Sequence, residues 1–246
     1  MHALKILAAT AASALVAGNA FAQCANYSLT GAAGTVVLDA DEGIRTVGLP
    51  FSFPYNGLSI NAITISSNGW IKLGSTLTTT SAEITDSEAT LLAGNARLAV
   101  CWDDLNSTST GGGEIYYRGD ASQASITWQG VPHFGSTQTA VKANCECILM
   151  PTGDIYFYYD STCAYNLSTS TSLVGICRGN TGPALTAGTH LADWSTAATP
   201  INVVDATAYQ LFTANTGTAP FDLLGGFVLH FAPTGVDTYT VSTTTL

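Results

Sequence analysis

Short stretches in which apolar and polar residues alternate recur along the chain, and they constrain its fold more than any other feature. They lie at Ile63–Ser66, Ser125–Gln129, Ile155–Tyr159 and Phe227–Phe231. Alternation places successive side chains on opposite faces, which is typical of half-buried antiparallel strands. Turn-forming pairs lie between these stretches, among them Asn56-Gly57, Asn68-Gly69, Gly119-Asp120 and Thr152-Gly153. The pattern predicts an all-β protein with an antiparallel, jelly-roll-like β-sandwich.

Little helix is expected beside these strands. One short helix is predicted, with Asp86 as its N-cap, Leu91 and Leu92 within it and Gly94 ending it. The chain contains no linker and no repeat, so residues 23–232 are interpreted as a single β-sandwich domain. Residues 233–246 are rich in threonine and form either a last strand or a tail.

The first 22 residues have the three parts of a secretory signal peptide. Lys5 supplies the positive region, Ile6–Val16 the apolar region, and Ala20-Phe21-Ala22 fits the A-x-A cleavage pattern. We therefore expect a mature chain that begins at Gln23 and is secreted. The alanine-rich leader is typical of bacteria, so the expected location is extracellular or periplasmic. No later stretch approaches the ~20 apolar residues of a membrane-spanning helix.

An even number of cysteines in an exported chain favours disulfides over a metal site. The six cysteines are Cys24, Cys101, Cys145, Cys147, Cys163 and Cys177. Cys145 and Cys147 lie two apart on a predicted strand and so face the same side, which disfavours a bond between them. Each is expected to bond elsewhere, with Cys163 and Cys177 the nearest partners in sequence. The sandwich is therefore predicted to be disulfide-stapled, with the pairing open.

The charge balance excludes some classes of partner. The chain has 7 Lys+Arg against 17 Asp+Glu, a formal net charge of −10. So few cations cannot neutralise the phosphates of a nucleic acid, and anionic membrane surfaces are disfavoured for the same reason. At 46% hydrophobic residues the chain is not a disordered acidic tail. An extracellular protein or glycan remains the expected partner, and the oligomeric state is open.

Seven segments, in order, resemble the nidogen-like β-sandwich module of secreted and cell-surface proteins. The resemblance covers about residues 46–180 and rests on Leu49–Gly57, Ile63–Gly74, Leu98–Leu105, Gly113–Arg118, Ser125–Pro132, Cys147–Tyr159 and Leu173–Ile176. It implies an extracellular sandwich that is generally non-catalytic. Cys101 stands where that family usually has an aromatic residue, and residues 181–246 have no clear counterpart.

Two acidic loops are candidate cation sites. Asp103, Asp104 and Asn106 offer hard oxygen ligands suited to Ca²⁺, and Glu114 adds another if the Gly111–Gly113 turn brings it back. The alternative is a solvated loop with a capping residue. A second acidic group, Asp39–Gly43, lacks the ligand spacing of an EF-hand and is interpreted as a polar turn.

Trp102 and Trp194 are candidate ligand-binding aromatics. A tryptophan beside carboxylates is suited to sugar binding, since the ring can stack while the carboxylates bind hydroxyls. The apolar run before Trp102 favours a core position for it instead. Trp194 shares a loop with His190 and Asp193.

These observations favour a secreted, non-catalytic binding or adhesion module. It would recognise a matrix component, a glycan or a protein through loops at one end of the sandwich, with calcium as a candidate ligand. Whether the chain is an enzyme stays open, although no P-loop, G-x-S-x-G or H-E-x-x-H motif is present. The alternatives are a hydrolase of polysaccharide, polyester or peptide, built on His190/Asp193 or Asp103/Glu114, and a structural subunit of a surface assembly.

Overall fold

The computed structural model describes residues 34–74, 85–135, 142–163, 171–194, 200–213 and 225–245. The predicted signal peptide, residues 1–22, and Cys24 lie outside these ranges. No helix in the described part of the chain is long and apolar enough to cross a membrane.

Fourteen strands and one helix make up the described elements. In chain order they are β1 (Thr35–Leu38), β2 (Ile44–Tyr55), β3 (Leu58–Ser66), β4 (Trp70–Leu73), α1 (Glu88–Leu92), β5 (Arg97–Trp102), β6 (Glu114–Gly119), β7 (Ala124–Pro132), β8 (Lys142–Leu149), β9 (Ile155–Tyr159), β10 (Thr171–Cys177), β11 (Ile201–Val203), β12 (Ala208–Thr213), β13 (Phe227–Pro233) and β14 (Tyr239–Thr245).

The strands form two antiparallel sheets. The eight-stranded sheet has the order β1-β6-β7-β8-β9-β13-β14-β11, and the six-stranded sheet has the order β12-β10-β5-β4-β3-β2. The inward residues of both sheets share one apolar core, to which Ile65 and Val100 contribute from one side and Trp128 and Phe157 from the other. The predicted all-β sandwich is confirmed.

Two side chains tie the sheets together by hydrogen bonds through this core. The Trp128 indole donates to the Ser66 carbonyl at 3.0 Å, and the Tyr159 hydroxyl donates to the Val100 carbonyl at 2.6 Å. Trp128 and Tyr159 are both fully buried, so each polar atom needs a partner inside the protein. The bonds therefore set the position of one sheet on the other.

The six-stranded sheet also has a covered outer face. Trp70, Trp102, Leu173 and Tyr209 form a second apolar cluster there, which includes Leu91 of α1. The Arg97 guanidinium lies over both rings of the tryptophan pair, 4.4 Å from the Trp102 centroid and 5.0 Å from the Trp70 centroid. The faces of both rings attract the guanidinium cation. This attraction helps to stabilise the Arg97 side chain, which is only 1% exposed. β5 is consequently buried on both sides.

A β-bulge in β5 allows both faces to be apolar. The amides of Val100 and Cys101 both donate to the Gly69 carbonyl, at 3.0 Å each. Two residues of β5 thus oppose one residue of the β3–β4 turn. The alternation of inward and outward side chains along β5 is therefore shifted by one residue. Val100 and Cys101 both point into the inter-sheet core, whereas Ala99 and Trp102 point outward.

The helix is present, but its cap differs from the prediction. Ser87, and not Asp86, is the N-cap of α1, and its side-chain oxygen accepts a hydrogen bond from the Thr90 amide at 3.2 Å. Serine and aspartate cap equally well, so local sequence could not choose between neighbours. Asp86 instead interacts with Asp103 and His133, which belong to the candidate site described below.

The threonine-rich C-terminal segment is a strand. β14 pairs with β13 on one side and with β11 on the other, so it lies inside the eight-stranded sheet. Tyr239 and Val241 are its inward residues and belong to the core. This segment is therefore an integral part of the sandwich.

All five described cysteines are buried, and no disulfide joins any two of them in the structure. Cys145 and Cys147 both face the core, as predicted from their spacing. Cys177 lies in the outer cluster of the six-stranded sheet. The Cys145 sulfur lies 2.9 Å from that of Cys101 across the core, a contact that the sequence did not predict.

Replacement of Gly69 by alanine should disrupt the bulge. Gly69 has φ +75°, and an added Cβ would lie 2.2 Å from the Cys101 carbonyl oxygen. We expect a loss of about 3–5 kcal/mol in the free energy of unfolding, measured by urea denaturation. Gly94→Ala is the matched control, since Gly94 has φ +102° and open space around its Cβ position. Its expected loss is about 1–2 kcal/mol, and equal losses would contradict the argument.

Candidate functional site

Two acidic loops that are distant in sequence meet at one end of the sandwich. Asp41 and Glu42 lie between β1 and β2, and Asp104 follows β5. One carboxylate oxygen from each lies within 4.8 Å of the others. Two oxygens bound to the same Ca²⁺ at about 2.3–2.6 Å are about 5 Å apart at most. The group therefore has the spacing that a shared cation requires.

Asn68, in the turn between β3 and β4, holds the two loops side by side. Its Oδ1 accepts from the Leu105 amide at 2.9 Å, and its Nδ2 donates to Glu42 Oε2 at 3.2 Å. Its carbonyl accepts from the Asp103 amide at 3.2 Å. Because Asn68 is fully buried, these bonds replace its lost hydration. One side chain thus links both acidic loops to the turn.

Two serines fix the backbone of the first acidic loop. The Ser107 hydroxyl accepts from the Ala40 amide at 2.7 Å and lies 3.1 Å from Asp39 Oδ1, to which it donates. The Ser67 hydroxyl donates to the Asp41 carbonyl at 2.5 Å and accepts from the Gly43 amide at 3.0 Å. The Asp39–Gly43 segment is therefore held against the loop that follows β5.

Negative charge is concentrated in this site. Burial raises the pKa of Glu42, and the charges of Asp104 and Asp41 raise it further. Burial likewise raises the pKa of Asp104, with contributions from Asp103 and Asp41, whereas His133 lowers it. Repulsion of this kind is relieved when a proton or a cation binds.

Some carboxylate oxygens here lack hydrogen-bond donors. Asp41 Oδ1, Asp103 Oδ2 and Asp104 Oδ1 are buried atoms that accept no hydrogen bond from the described part of the chain. Asp103 is only 1% exposed. A buried charged oxygen without a partner carries a large desolvation cost. The possible metal ligands here are all hard carboxylate oxygens, so the group fits Ca²⁺ better than a softer metal.

A histidine and two aspartates lie beside this group. His133 Nδ1 is 3.1 Å from Asp103 Oδ1. Burial lowers the pKa of His133, but the hydrogen bond to Asp103 and the charges of Asp103, Asp104 and Asp86 outweigh it and raise the pKa overall. Burial raises the pKa of Asp86 to about 7, against a hydrogen bond from Thr171 that lowers it. Beside the three carboxylates there is thus an aspartate, Asp86, whose pKa lies near neutral, and a histidine whose pKa is raised.

Of the four predicted metal ligands, Asp104 alone is in the three-carboxylate group. Asp103 is its neighbour and pairs with His133. The Asn106 Oδ1 accepts from the amide and the hydroxyl of Thr108, at 2.8 and 2.7 Å. Glu114 Oε2 accepts from the Tyr116 hydroxyl at 2.7 Å. The structure thus gives Asn106 and Glu114 local partners on their own segments.

Sequence reasoning did not assign Asp41 and Glu42 to this site. Both belong to the Asp39–Gly43 group, which was interpreted as a polar turn because its spacing is irregular. The signal available in the sequence was the local density of acidic residues. The sequence does not show that the two loops lie side by side, because their contact depends on the hydrogen bonds of Asn68.

Both candidate ligand-binding tryptophans are buried. Trp102 is 0% exposed in the outer cluster of the six-stranded sheet, and Trp194 is 2% exposed and donates its indole N–H to the Val174 carbonyl at 3.1 Å. Stacking on a sugar requires an exposed ring face. Neither ring offers one, so sugar stacking would require the core to open.

The other candidate hydrolytic groups are His190 and Asp193. His190 is half-buried, and Asp193 is exposed in the segment after it. The His190 carbonyl accepts from the Tyr209 amide at 3.1 Å, which fixes the backbone there. The described residues include two pairs of a histidine with a carboxylate: His133 Nδ1 lies 3.1 Å from Asp103 Oδ1, and His230 Nε2 lies 2.7 Å from Asp154 Oδ1.

Comparison with known proteins gives one match. A family model described as NIDO related matches residues 19–221. The chain belongs to this NIDO-related family. The match reaches beyond the resembling segment of residues 46–180, so residues 181–221 also have a family counterpart. No curated protein and no solved structure matches. Membership indicates an extracellular module.

Stability should depend on pH through Asp86. Its pKa in the folded chain, about 7, exceeds the ordinary value of 3.8. Protonation therefore favours the folded state, and stability falls as the pH rises from about 4 to about 7, then levels off. In chelator-containing buffer, Asp86→Asn should raise the free energy of unfolding at pH 8 by about 1–3 kcal/mol and change little at pH 4.

The control for this measurement is the exposed Asp237, changed to asparagine. Urea denaturation at both pH values measures the effect. A stability gain in Asp86→Asn that is the same at pH 4 and pH 8 would show that titration is not its cause.

Proposed function

We propose that this member of the NIDO-related family is a secreted binding module that recognises an extracellular protein or glycan through the acidic end of its sandwich. A calcium ion held by Asp41, Glu42 and Asp104 would order the two loops that form the contact surface. The observation that carries the proposal is the convergence of these three carboxylates within 4.8 Å, from loops that are distant in sequence.

Two further observations support a cation at this place. Asp103, almost fully buried beside Asp104, has an oxygen without a hydrogen-bond donor in the described part of the chain. The pKa values of Glu42 and Asp104 are raised by burial and by neighbouring charges of the same sign. A divalent cation would satisfy the buried oxygens and turn the repulsion into attraction.

The location of the group supports a role in recognition. Loops at the end of a sandwich can vary while the sheets keep their positions, which suits them to binding. Glu42 is exposed, so the edge of the group is open to a partner. A cation there with free coordination positions could also accept oxygens from a sugar or an acidic side chain.

Calcium should stabilise the folded chain. Extracellular calcium modules have dissociation constants of about 10⁻⁴–10⁻³ M. At 10 mM Ca²⁺ we expect a rise in the thermal midpoint of about 3–10 °C over buffer with chelator. Because protons compete for the same carboxylates, the rise should be smaller at pH 5 than at pH 7.5. Differential scanning fluorimetry measures it.

Matched variants separate the two possible ligand sets. Asp104→Asn and Asp41→Asn should lose most of the calcium-dependent rise and should stay folded in chelator, because each removes a repelling charge. Glu114→Gln is the control. The sequence predicts Glu114 as a ligand, but the three grouped carboxylates do not include it, so this variant should keep the calcium-dependent rise in thermal midpoint. Absence of any rise in the unaltered chain would remove calcium from the proposal.

Partner recognition is tested with the purified chain on a glycan array and on a panel of matrix proteins, with Ca²⁺ or with chelator. We expect binding that chelator abolishes and that Asp104→Asn loses, whereas the exposed-site control Asp237→Asn retains it. Binding to no probe, together with elution as a large assembly, would favour a structural subunit instead.

A secreted hydrolase is the second candidate, and the His133–Asp103 pair favours it. In nucleophilic hydrolysis a carboxylate orients the histidine that acts as the base. Turnover of generic ester, peptide or glycan substrates by the purified chain, lost in His133→Ala, would replace the binding proposal with this one.

A further inference from the structure

Two cysteines from opposite sheets meet in the middle of the core. Cys101, on β5 of the six-stranded sheet, and Cys145, on β8 of the eight-stranded sheet, have their sulfurs 2.9 Å apart. A disulfide has an S–S distance of about 2.05 Å. The sulfurs therefore need to approach by less than 1 Å, and the strands that carry them already face each other.

The bulge in β5 brings Cys101 to this position. In a regular strand Cys101 would share the face of Ala99, on the outside of the sheet. Because the Val100 and Cys101 amides both bond to the Gly69 carbonyl, the side chain of Cys101 enters the core beside that of Val100. The turn at Gly69 and the pairing of the two sulfurs are thus linked.

We propose that Cys101 and Cys145 form a disulfide that joins the two sheets of the sandwich. The bond closes a loop between residues 44 apart in sequence. It forms when two thiols lose two protons and two electrons to a disulfide oxidant, such as oxidised glutathione, which is reduced to two thiols. The proposal is independent of the calcium site and of any partner.

The other described cysteines are less well placed. Cys177 lies in the outer cluster of the six-stranded sheet, where its sulfur accepts from the Gly179 amide at 3.2 Å. Cys147 faces the core next to Cys145 on the same strand face. The Cys163 sulfur accepts from the Asn144 amide at 3.4 Å. Cys101 and Cys145 are in direct sulfur–sulfur contact.

The bond is expected to form while the sheets come together. Cys101 and Cys145 are 1% and 0% exposed, so an oxidant has no access to them once the core is closed. Burial also raises the pKa of both thiols, which reduces the thiolate that exchange requires. The test therefore refolds the full chain in a mixture of reduced and oxidised glutathione.

Peptide mapping without reduction identifies the bond directly. Cleavage after Lys, Arg and Glu releases Cys101 in residues 98–114 and Cys145 in residues 143–146, because Glu146 separates Cys145 from Cys147. We expect these two peptides as one linked species that reduction splits. Alkylation of both cysteines in the oxidised, folded chain, or a link from either to the peptide of residues 147–178, which contains Cys147, Cys163 and Cys177, would overturn the proposal.

A matched pair of variants tests the energetic role. Cys145→Ser and Cys147→Ser make the same change at two fully buried positions on one strand face. Reductant should lower the thermal midpoint of the unaltered chain and of Cys147→Ser by about 5–12 °C. Cys145→Ser should lose most of that reductant-dependent decrease.

The same decrease in both serine variants would contradict a bond at Cys145. Comparing each variant with itself, before and after reduction, cancels the cost of burying a serine hydroxyl. If a variant does not fold, the peptide map of the unaltered chain still decides the pairing.

Discussion

The carbonyl of Gly69 accepts hydrogen bonds from two successive amides of β5, and the acidic end of the sandwich depends on this arrangement. The bulge that it produces makes β5 apolar on both faces, with Val100 and Cys101 inward and Trp102 outward. Only glycine fits at position 69, because its φ is positive and the Cys101 backbone lies against it. The backbone conformation at Gly69 therefore determines how β5 leads into the loop that contains Asp104.

Asn68, the residue before this glycine, connects the same turn to the charged site. Its amide side chain bonds to Glu42 on one loop and to the Leu105 amide on the other. The acidic residues of a chain with very few cations are thus brought together instead of being dispersed. Such a cluster is costly in a bare protein, which is the physical ground for expecting a cation there.

Much of the fold followed from local patterns. Alternation at Ile155–Tyr159 and at Phe227–Phe231 predicted strands that the structure contains as β9 and β13. The helix was found, but Ser87 caps it in place of Asp86, since both residues cap well. For the candidate site, the sequence predicted Asp104 together with Asp103, Asn106 and Glu114 as cation ligands, whereas the structure places Asp104 beside Asp41 and Glu42.

By itself, the sequence determined the strands, the turns and the class of protein, because these depend on neighbours within a few residues. Only the tertiary structure decided which distant groups meet. Asp41 reaches Asp104, and Cys101 reaches Cys145, through contacts between strands far apart along the chain. A single bulge reverses the face on which a side chain lies, so no periodic pattern could predict that Cys101 points into the core.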